Sequence, residues 1–81
     1  SRWAEIRNAG MAFGKVLRER RKQAGLTQEK LALEADVQRN YVSLIERGVH
    51  QPTINIIFKL AAALGCKPSD LVADVESFIA R

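Results

Sequence analysis

The chain has 81 residues, which is enough for one small domain around a single hydrophobic core. With 47% hydrophobic and 27% charged residues, five Gly and two Pro, the composition favours a globular helical fold, and one Cys and one His exclude disulfide frameworks and the usual metal sites. The formal net charge of +4 permits a polyanionic partner without requiring one, and the lack of a secretory leader or of an apolar run near about 18 residues predicts a cytoplasmic protein.

Three glycines divide the chain into helical segments. Gly25, Gly48 and Gly65 each follow an apolar-periodic stretch, at the position where a left-handed glycine ends a helix. The sequence therefore predicts an all-α domain with five helices and no strand. The helices are expected at about residues 12–24, 28–35 and 38–46, from Thr53 to Gly65, and from Pro68 to the end.

Residues that favour helix starts agree with this division. Thr27 and Thr53 can each accept a hydrogen bond from the free amides of the turn that follows. Pro68 suits a first helical position, where its missing N–H costs nothing. Residues 1–10 are different in kind, because Met11 after Gly10 could be a start codon; we assign them to an N-terminal arm or to a segment that is not native.

The apolar residues at helical spacing form the expected core. They are Phe13, Val16, Leu17, Ala24, Leu31, Ala32, Ala35, Val42, Ile45, Ile57, Leu60, Ala61, Leu64, Leu71, Val75, Phe78 and Ile79. Ala32 is small at the point where the second and third helices should cross most closely. Cys66 is interpreted as a small packing residue, and His50 as a solvent-exposed loop residue.

The surplus positive charge lies in the first half of the sequence. Residues 1–48 hold ten basic and six acidic side chains, whereas residues 49–81 hold three of each. This division indicates one face for a polyanion and another for packing or self-association. The alternative is a solvated basic helix surface, which the charge alone does not exclude.

Two short helices that share a three-residue turn, between Thr27 and Glu46, have the spacing of a DNA-binding helix-turn-helix. The stretches GLTQEKLA (25–32), YVSLIERG (41–48) and QPTINIIFKLAAALG (51–65) resemble the phage repressor and Cro-like family, also called the xenobiotic-response-element family, including its small controller proteins. The resemblance covers about residues 12–73. It implies a five-helix, lambda-repressor-like DNA-binding domain over residues 11–81, in a nucleoid-associated regulator of bacterial or phage type.

Polar side chains on the outer face of the third helix are the candidates for reading bases. Arg39 can bind guanine at two atoms, Asn40 can pair likewise with adenine, and Leu44 can touch a thymine methyl. The alternative is an ordinary solvated helix face. The full set of predicted base-contacting residues is Gln38, Arg39, Asn40, Ser43 and Leu44.

A second set is predicted to contact phosphates. In the family, the residue that matches Gln28 contacts the sugar-phosphate backbone, which agrees with its place among free amides at a helix start. Core packing is the favoured role for Tyr41, and the basic residues could equally form a solvated surface. The set is Gln28, Arg18, Lys22, Tyr41 and Arg47.

The resemblance also implies two structural features. It pairs Arg21 with Glu46 in a partly buried salt bridge between the first and third helices. Asp36 stands where the family often has glycine, and Gln38 stands where Ser or Thr would cap the recognition helix. Because Asp tolerates the left-handed region, we expect the turn to survive with some loss of stability.

The sequence therefore predicts a sequence-specific transcriptional regulator that binds a pseudo-palindromic operator in double-stranded DNA as a homodimer, with its third helix in the major groove. The predicted dimer interface is on the fifth helix, at Val72, Val75, Phe78 and Ile79. The alternative is that these four residues only cover helix four and the surroundings of Phe13.

Two other functional classes are the alternatives. The first is a protein-interaction module, such as an antitoxin or adaptor, with little DNA binding; Gln28 and Arg39 argue against it. The second is an enzyme, which we do not expect because the sequence has no nucleophile–base pair or phosphate-cradling glycine loop. No cofactor, metal, small-molecule ligand or membrane partner is expected.

Overall fold

The computed structural model describes residues 8–80, which form five α-helices and no strand. The helices are α1 (Ala9–Gln23), α2 (Gln28–Ala35), α3 (Arg39–Glu46), α4 (Ile54–Leu64) and α5 (Pro68–Ile79). The predicted all-α, five-helix architecture is confirmed. The main difference is at the start, because α1 begins at Ala9 and includes Gly10, which the sequence assigned to the arm. Residues 1–7 of that arm lie outside the described residues.

The expected capping threonines begin their helices. The Thr27 hydroxyl accepts from the N–H of Lys30 at 3.0 Å, and the Thr53 hydroxyl accepts from the N–H of Ile56 at 3.3 Å. Pro68 is the first residue of α5, as predicted. Each of these features supplies a partner for helix-end amides or removes the need for one, so the helix starts are fixed locally by sequence.

The turn between α2 and α3 has the left-handed residue that the sequence predicts. Asp36 has φ 56° and ψ 48°, and among residues 8–80 it is the one non-glycine residue with positive φ. The N–H of Val37 then donates to the carbonyl of Ala32 at 3.0 Å, which closes the end of α2. Gln38 occupies the N-cap of α3 but makes no capping hydrogen bond through its side chain.

The core forms where all five helices pack together. Helix α1 packs against α3 and α5, α2 against α3 and α4, and α4 against α5. The buried apolar residues are Ala12, Phe13, Val16, Leu17, Leu31, Ala32, Ala35, Val42, Ile45, Leu60, Ala61, Leu71 and Val75. Ala24 is exposed, so its assignment to the core was wrong; it is the C-cap residue just beyond the end of α1, where its side chain no longer follows the inner stripe.

An ion pair between Arg20 and Asp74 stabilises the packing of α1 on α5. Arg20 Nε donates to Asp74 Oδ2 at 2.7 Å, and the two side chains are 30% and 39% exposed. The hydrogen bond to Asp74 raises the pKa of Arg20 above its usual value. Since the pair is partly exposed, its contribution to stability is small, at about 1 kcal/mol or less. The sequence pattern gave no indication of this ion pair, because residues 20 and 74 meet only through tertiary packing.

Candidate nucleic-acid interface

The predicted base-contacting residues lie together on the outer side of α3. Gln38, Arg39 and Asn40 are exposed at the start of the helix, and Ser43 and Leu44 are half-buried one turn later. The opposite side of α3 holds two fully buried residues, Val42 and Ile45. This separation follows from helical periodicity, and it holds the polar side of α3 away from the core.

A groove joins the first turn of α2 to the first turn of α3. It has a volume of about 480 Å³ and is lined by Arg21, Thr27, Gln28, Glu29 and Arg39. Gln28 and Arg39 are thus brought to one place from two different helices. Free amides at helix N-termini favour anions, so the location suits a phosphate beside the polar side of α3.

The ion pair implied by the resemblance is present. Arg21 Nε donates to Glu46 Oε2 at 2.7 Å, Arg21 Nη2 donates to Glu46 Oε1 at 3.1 Å, and the side chains are only 11% and 4% exposed. Arg21 Nη1 also donates to the carbonyl of Leu26 at 2.9 Å. These bonds connect α1, the α1–α2 turn and the end of α3, so the recognition helix is anchored to the rest of the fold.

The same pair binds Gln28, which the sequence analysis missed. Gln28 Nε2 donates to Glu46 Oε1 at 3.0 Å. The predicted phosphate-contacting glutamine is therefore held by a nearly buried carboxylate. Spacing gave no signal for this bond, because residues 28 and 46 belong to different helices and meet only through tertiary packing.

Tyr41 is half-buried and packs against the core, which agrees with the role that the sequence favoured for it. Its ring meets the ring of His50 edge-on, with centroids 6.0 Å apart and an interplanar angle of 82°. His50 itself is exposed, as expected. This aromatic contact joins the loop after α3 to the first turn of that helix.

The predicted phosphate-contacting cations are exposed. Arg18, Lys22 and Arg47 form no ion pair within residues 8–80, in contrast to Arg20 and Arg21. Their charges are therefore available to a polyanion. Within that part of the chain, no group of acidic, histidine or cysteine side chains could hold a metal ion, and no helix is long and apolar enough to cross a membrane.

The four residues of the predicted dimer interface differ in exposure. Val75 is only 9% exposed and belongs to the core of the single chain, and Phe78 and Ile79 are half-buried against that core. The alternative interpretation, that these residues cover the protein's own core, describes all three of them. Val72 is 45% exposed and retains surface for a partner.

Helix α4 carries a larger apolar surface that the sequence analysis missed. Ile54 is 69% exposed and Phe58, one turn later, is 58% exposed. Their spacing of four residues places them on one face, away from the buried Leu60. A signal was present in the sequence, since both residues fall outside the apolar stripe that was assigned to the core.

Comparison with known proteins gives concordant matches. A family model described as "Helix-turn-helix" matches residues 17–71. The control protein C.BamHI of Bacillus amyloliquefaciens is 41% identical over 66 residues, covering 80% of this chain and 82% of that protein.

Two solved structures of restriction-modification controller proteins have the same fold. C.AhdI from Aeromonas hydrophila matches with a TM-score of 0.74 and 43% identity, covering 75% of this chain and 92% of that one. C.Esp1396I, solved as a tetramer in complex with its natural 35 base-pair operator, matches with a TM-score of 0.83 and 25% identity, covering 90% and 96%.

Proposed function

The chain belongs to the helix-turn-helix family, and we propose that it is a sequence-specific DNA-binding transcriptional regulator whose helix α3 enters the major groove. The observation that carries the proposal is the exposed polar face of α3, held in place by the buried Val42 and Ile45 on its inner side. The proposed regulator catalyses no reaction and acts on double-stranded DNA in the cytoplasm.

Base recognition is assigned to the outer side of α3. Arg39 and Asn40 are exposed in its first turn, where the N-terminal residues of a recognition helix contact base edges. Arg39 presents a planar fork that fits guanine O6 and N7, and the Asn40 amide fits adenine N6 and N7. Gln38, Ser43 and Leu44 complete the face.

Contacts to the DNA backbone are assigned to residues around this helix. Gln28 lies in the groove next to Arg39, and the exposed cations Arg18, Lys22 and Arg47 add positive charge. Such contacts fix the register of the protein on the duplex and carry no sequence information. Tyr41 stays a candidate through its hydroxyl, with its ring packed against the core.

The active form that we propose is a homodimer on a pseudo-palindromic site, with half-sites about 34 to 36 Å apart. One structural neighbour is a tetramer on its operator. The exposed apolar side chains of Ile54, Phe58 and Val72 supply a surface for a second copy, away from the basic half of the sequence.

Selection of bound sites from random duplex DNA tests base recognition. The wild-type protein should enrich one pseudo-palindromic sequence, and Arg39→Ala should relax the preference at one position per half-site by about 1 to 3 kcal/mol with unchanged thermal stability. Lys59→Ala, an exposed cation on α4, is the matched control and should leave the selected sequence unchanged. An Arg39→Ala protein with the wild-type preference would remove Arg39 from base recognition.

The salt dependence of binding tests the backbone contacts. Affinity for the selected site should fall steeply with salt, with a slope that reflects about 6 to 10 neutralised phosphates per dimer. Substituting Arg18, Lys22 or Arg47 by Ala should each reduce that slope by about two, one for each copy of the dimer, without changing the selected sequence. Undetectable or salt-independent DNA binding would instead favour a protein-interaction module.

A further inference from the structure

Glu46 accepts two hydrogen bonds from Arg21 and a third from Gln28. Oε2 accepts from Arg21 Nε at 2.7 Å, and Oε1 accepts both from Arg21 Nη2 at 3.1 Å and from Gln28 Nε2 at 3.0 Å. The Glu46 side chain is 4% exposed. The additional bond goes to a residue of the groove that lies beside the base-reading face.

This bond determines how the Gln28 amide is turned. An ionised carboxylate can only accept hydrogen bonds, so the nitrogen end of the amide must face Glu46. The nitrogen has two N–H groups, and one of them is used. The other N–H and the carbonyl oxygen of the half-buried Gln28 make no hydrogen bond within residues 8–80 and can bind a ligand in the groove.

The paired arginine makes this arrangement compatible with DNA. An unpaired carboxylate next to a phosphate would repel it. Arg21 neutralises Glu46 through two hydrogen bonds and is itself fixed by the bond from Nη1 to the carbonyl of Leu26 at 2.9 Å. The pair can therefore orient Gln28 without adding net negative charge to the surface.

We propose that Glu46 is a positioning residue for DNA recognition: neutralised by Arg21, it turns the Gln28 amide so that its second N–H donates to a backbone phosphate. The inference rests on the proposed function, because it assigns an orientation to one of the DNA contacts of that function. It differs from a purely structural ion pair, which would stabilise the fold without affecting one particular phosphate contact.

Nuclear magnetic resonance of the wild-type protein tests the orientation without any substitution. In the free protein, the Gln28 side-chain amide should be as rigid as the backbone and one of its two protons should already be shifted by Glu46. The second proton should shift on addition of the selected duplex. Gln51, which is exposed, is the control and should be mobile in both states. Gln28 amide protons that behave like those of Gln51 would overturn the proposal.

Phosphate ethylation interference tests the role of Glu46 in binding. Gln28→Met should lose interference at one phosphate per half-site and bind about tenfold more weakly. The pair exchange Arg21→Met/Glu46→Leu replaces the buried ion pair by apolar residues of similar size, which proteins often tolerate. It should lose the same phosphate, and adding Gln28→Met to it should weaken binding by less than twofold.

The exchange Arg20→Met/Asp74→Leu is the matched control. It removes the other ion pair of α1, whose partner is on α5 and which does not contact Gln28. This control should retain the wild-type interference pattern even if it melts at a lower temperature. Loss of the same phosphate in the control would show a general effect of stability and would refute the positioning role.

The outcomes separate this inference from the function on which it rests. If the wild-type protein binds a specific site but the Arg21→Met/Glu46→Leu exchange folds and keeps the Gln28 phosphate contact, the positioning role is wrong and the proposed function stands. If the wild-type protein binds no duplex DNA, both are wrong.

Discussion

At the scale of single residues, Gly14 shows how closely two helices of this fold approach. It is buried in the middle of α1, and a Cβ atom at this position would meet the backbone carbonyl oxygens of Ile45 and Glu46, the latter at 2.8 Å. The end of the recognition helix thus lies directly on α1 because residue 14 has no side chain. A glycine within a helix usually costs stability, and here the close packing offsets that cost.

Gly14→Ala should therefore destabilise the protein although alanine favours helices. Neither carbonyl belongs to a flexible side chain, so α3 must shift, and we expect the free energy of unfolding to fall by about 1 to 3 kcal/mol. Thermal unfolding and operator affinity measure the two effects. In the control Gly10→Ala, the atoms nearest to the new Cβ belong to the flexible side chain of the exposed Gln51, which can move, so stability should stay equal or rise by up to about 1 kcal/mol. A Gly14→Ala protein as stable as the control would contradict the close approach.

At the scale of elements, α3 has the least support from its own sequence. It has 8 residues, and its N-cap Gln38 makes no side-chain hydrogen bond, whereas Thr27 and Thr53 cap α2 and α4. Isolated helices of this length are unstable in water. Helix α3 therefore depends on the burial of Val42 and Ile45. It depends also on the hydrogen bonds that Glu46 accepts from Arg21 of α1 and Gln28 of α2.

Gln38→Ser should supply the missing cap. The serine hydroxyl can accept a hydrogen bond from a free N–H in the first turn of α3, which should raise the free energy of unfolding by about 1 kcal/mol. If Gln38 contacts a base, the same change should alter the preference at one position of the selected site. Chemical unfolding and competition binding measure the two effects, and a more stable variant with unchanged base preference would remove Gln38 from the recognition set.

The matched control for that experiment is Thr53→Ala on α4. It removes the hydrogen bond from the N–H of Ile56 to the Thr53 hydroxyl and should cost about 1 kcal/mol. Thr53 is not assigned to DNA recognition, so the selected site should not change. An altered base preference in this variant would show that stability alone changes the preference.

At the scale of the whole molecule, the surplus charge and the exposed apolar residues of α4 and α5 belong to different parts of the sequence. The net positive charge belongs to residues 1–48, and Ile54, Phe58 and Val72 expose apolar side chains in the neutral part of the sequence. The homodimer that we propose would use the neutral part for contact with the second copy and α3 for contact with the duplex.

The double variant Ile54→Ser/Phe58→Ser tests that arrangement. Sedimentation equilibrium should show a dimer for the wild type and a monomer for the variant, with binding to the selected site weakened by about tenfold or more because each half-site is then bound alone. Exposed positions contribute little to folding, so the melting temperature of the monomer should change only slightly.

Leu33→Ser is the control for that variant. Leu33 is 74% exposed on α2, so the substitution removes an exposed apolar side chain outside the proposed surface and should leave the dimer intact. A dimer that survives in Ile54→Ser/Phe58→Ser would exclude α4 from the interface and would leave Val72 on α5 to be tested.

Local sequence patterns account for the five helices and for the buried and exposed sides of each one. Periodicity, the capping Thr27 and Thr53 and the three left-handed glycines are local properties, so they predicted the helices, most of the core and the exposed side of α3. The resemblance added the Arg21–Glu46 pair. Packing between helices decided the rest: the contact of Gly14 with α3, the ion pair of Arg20 with Asp74, and the bond from Gln28 to Glu46. Each of these depends on how helices that are distant in sequence pack together, and helical periodicity carries no information about which neighbour a face will meet.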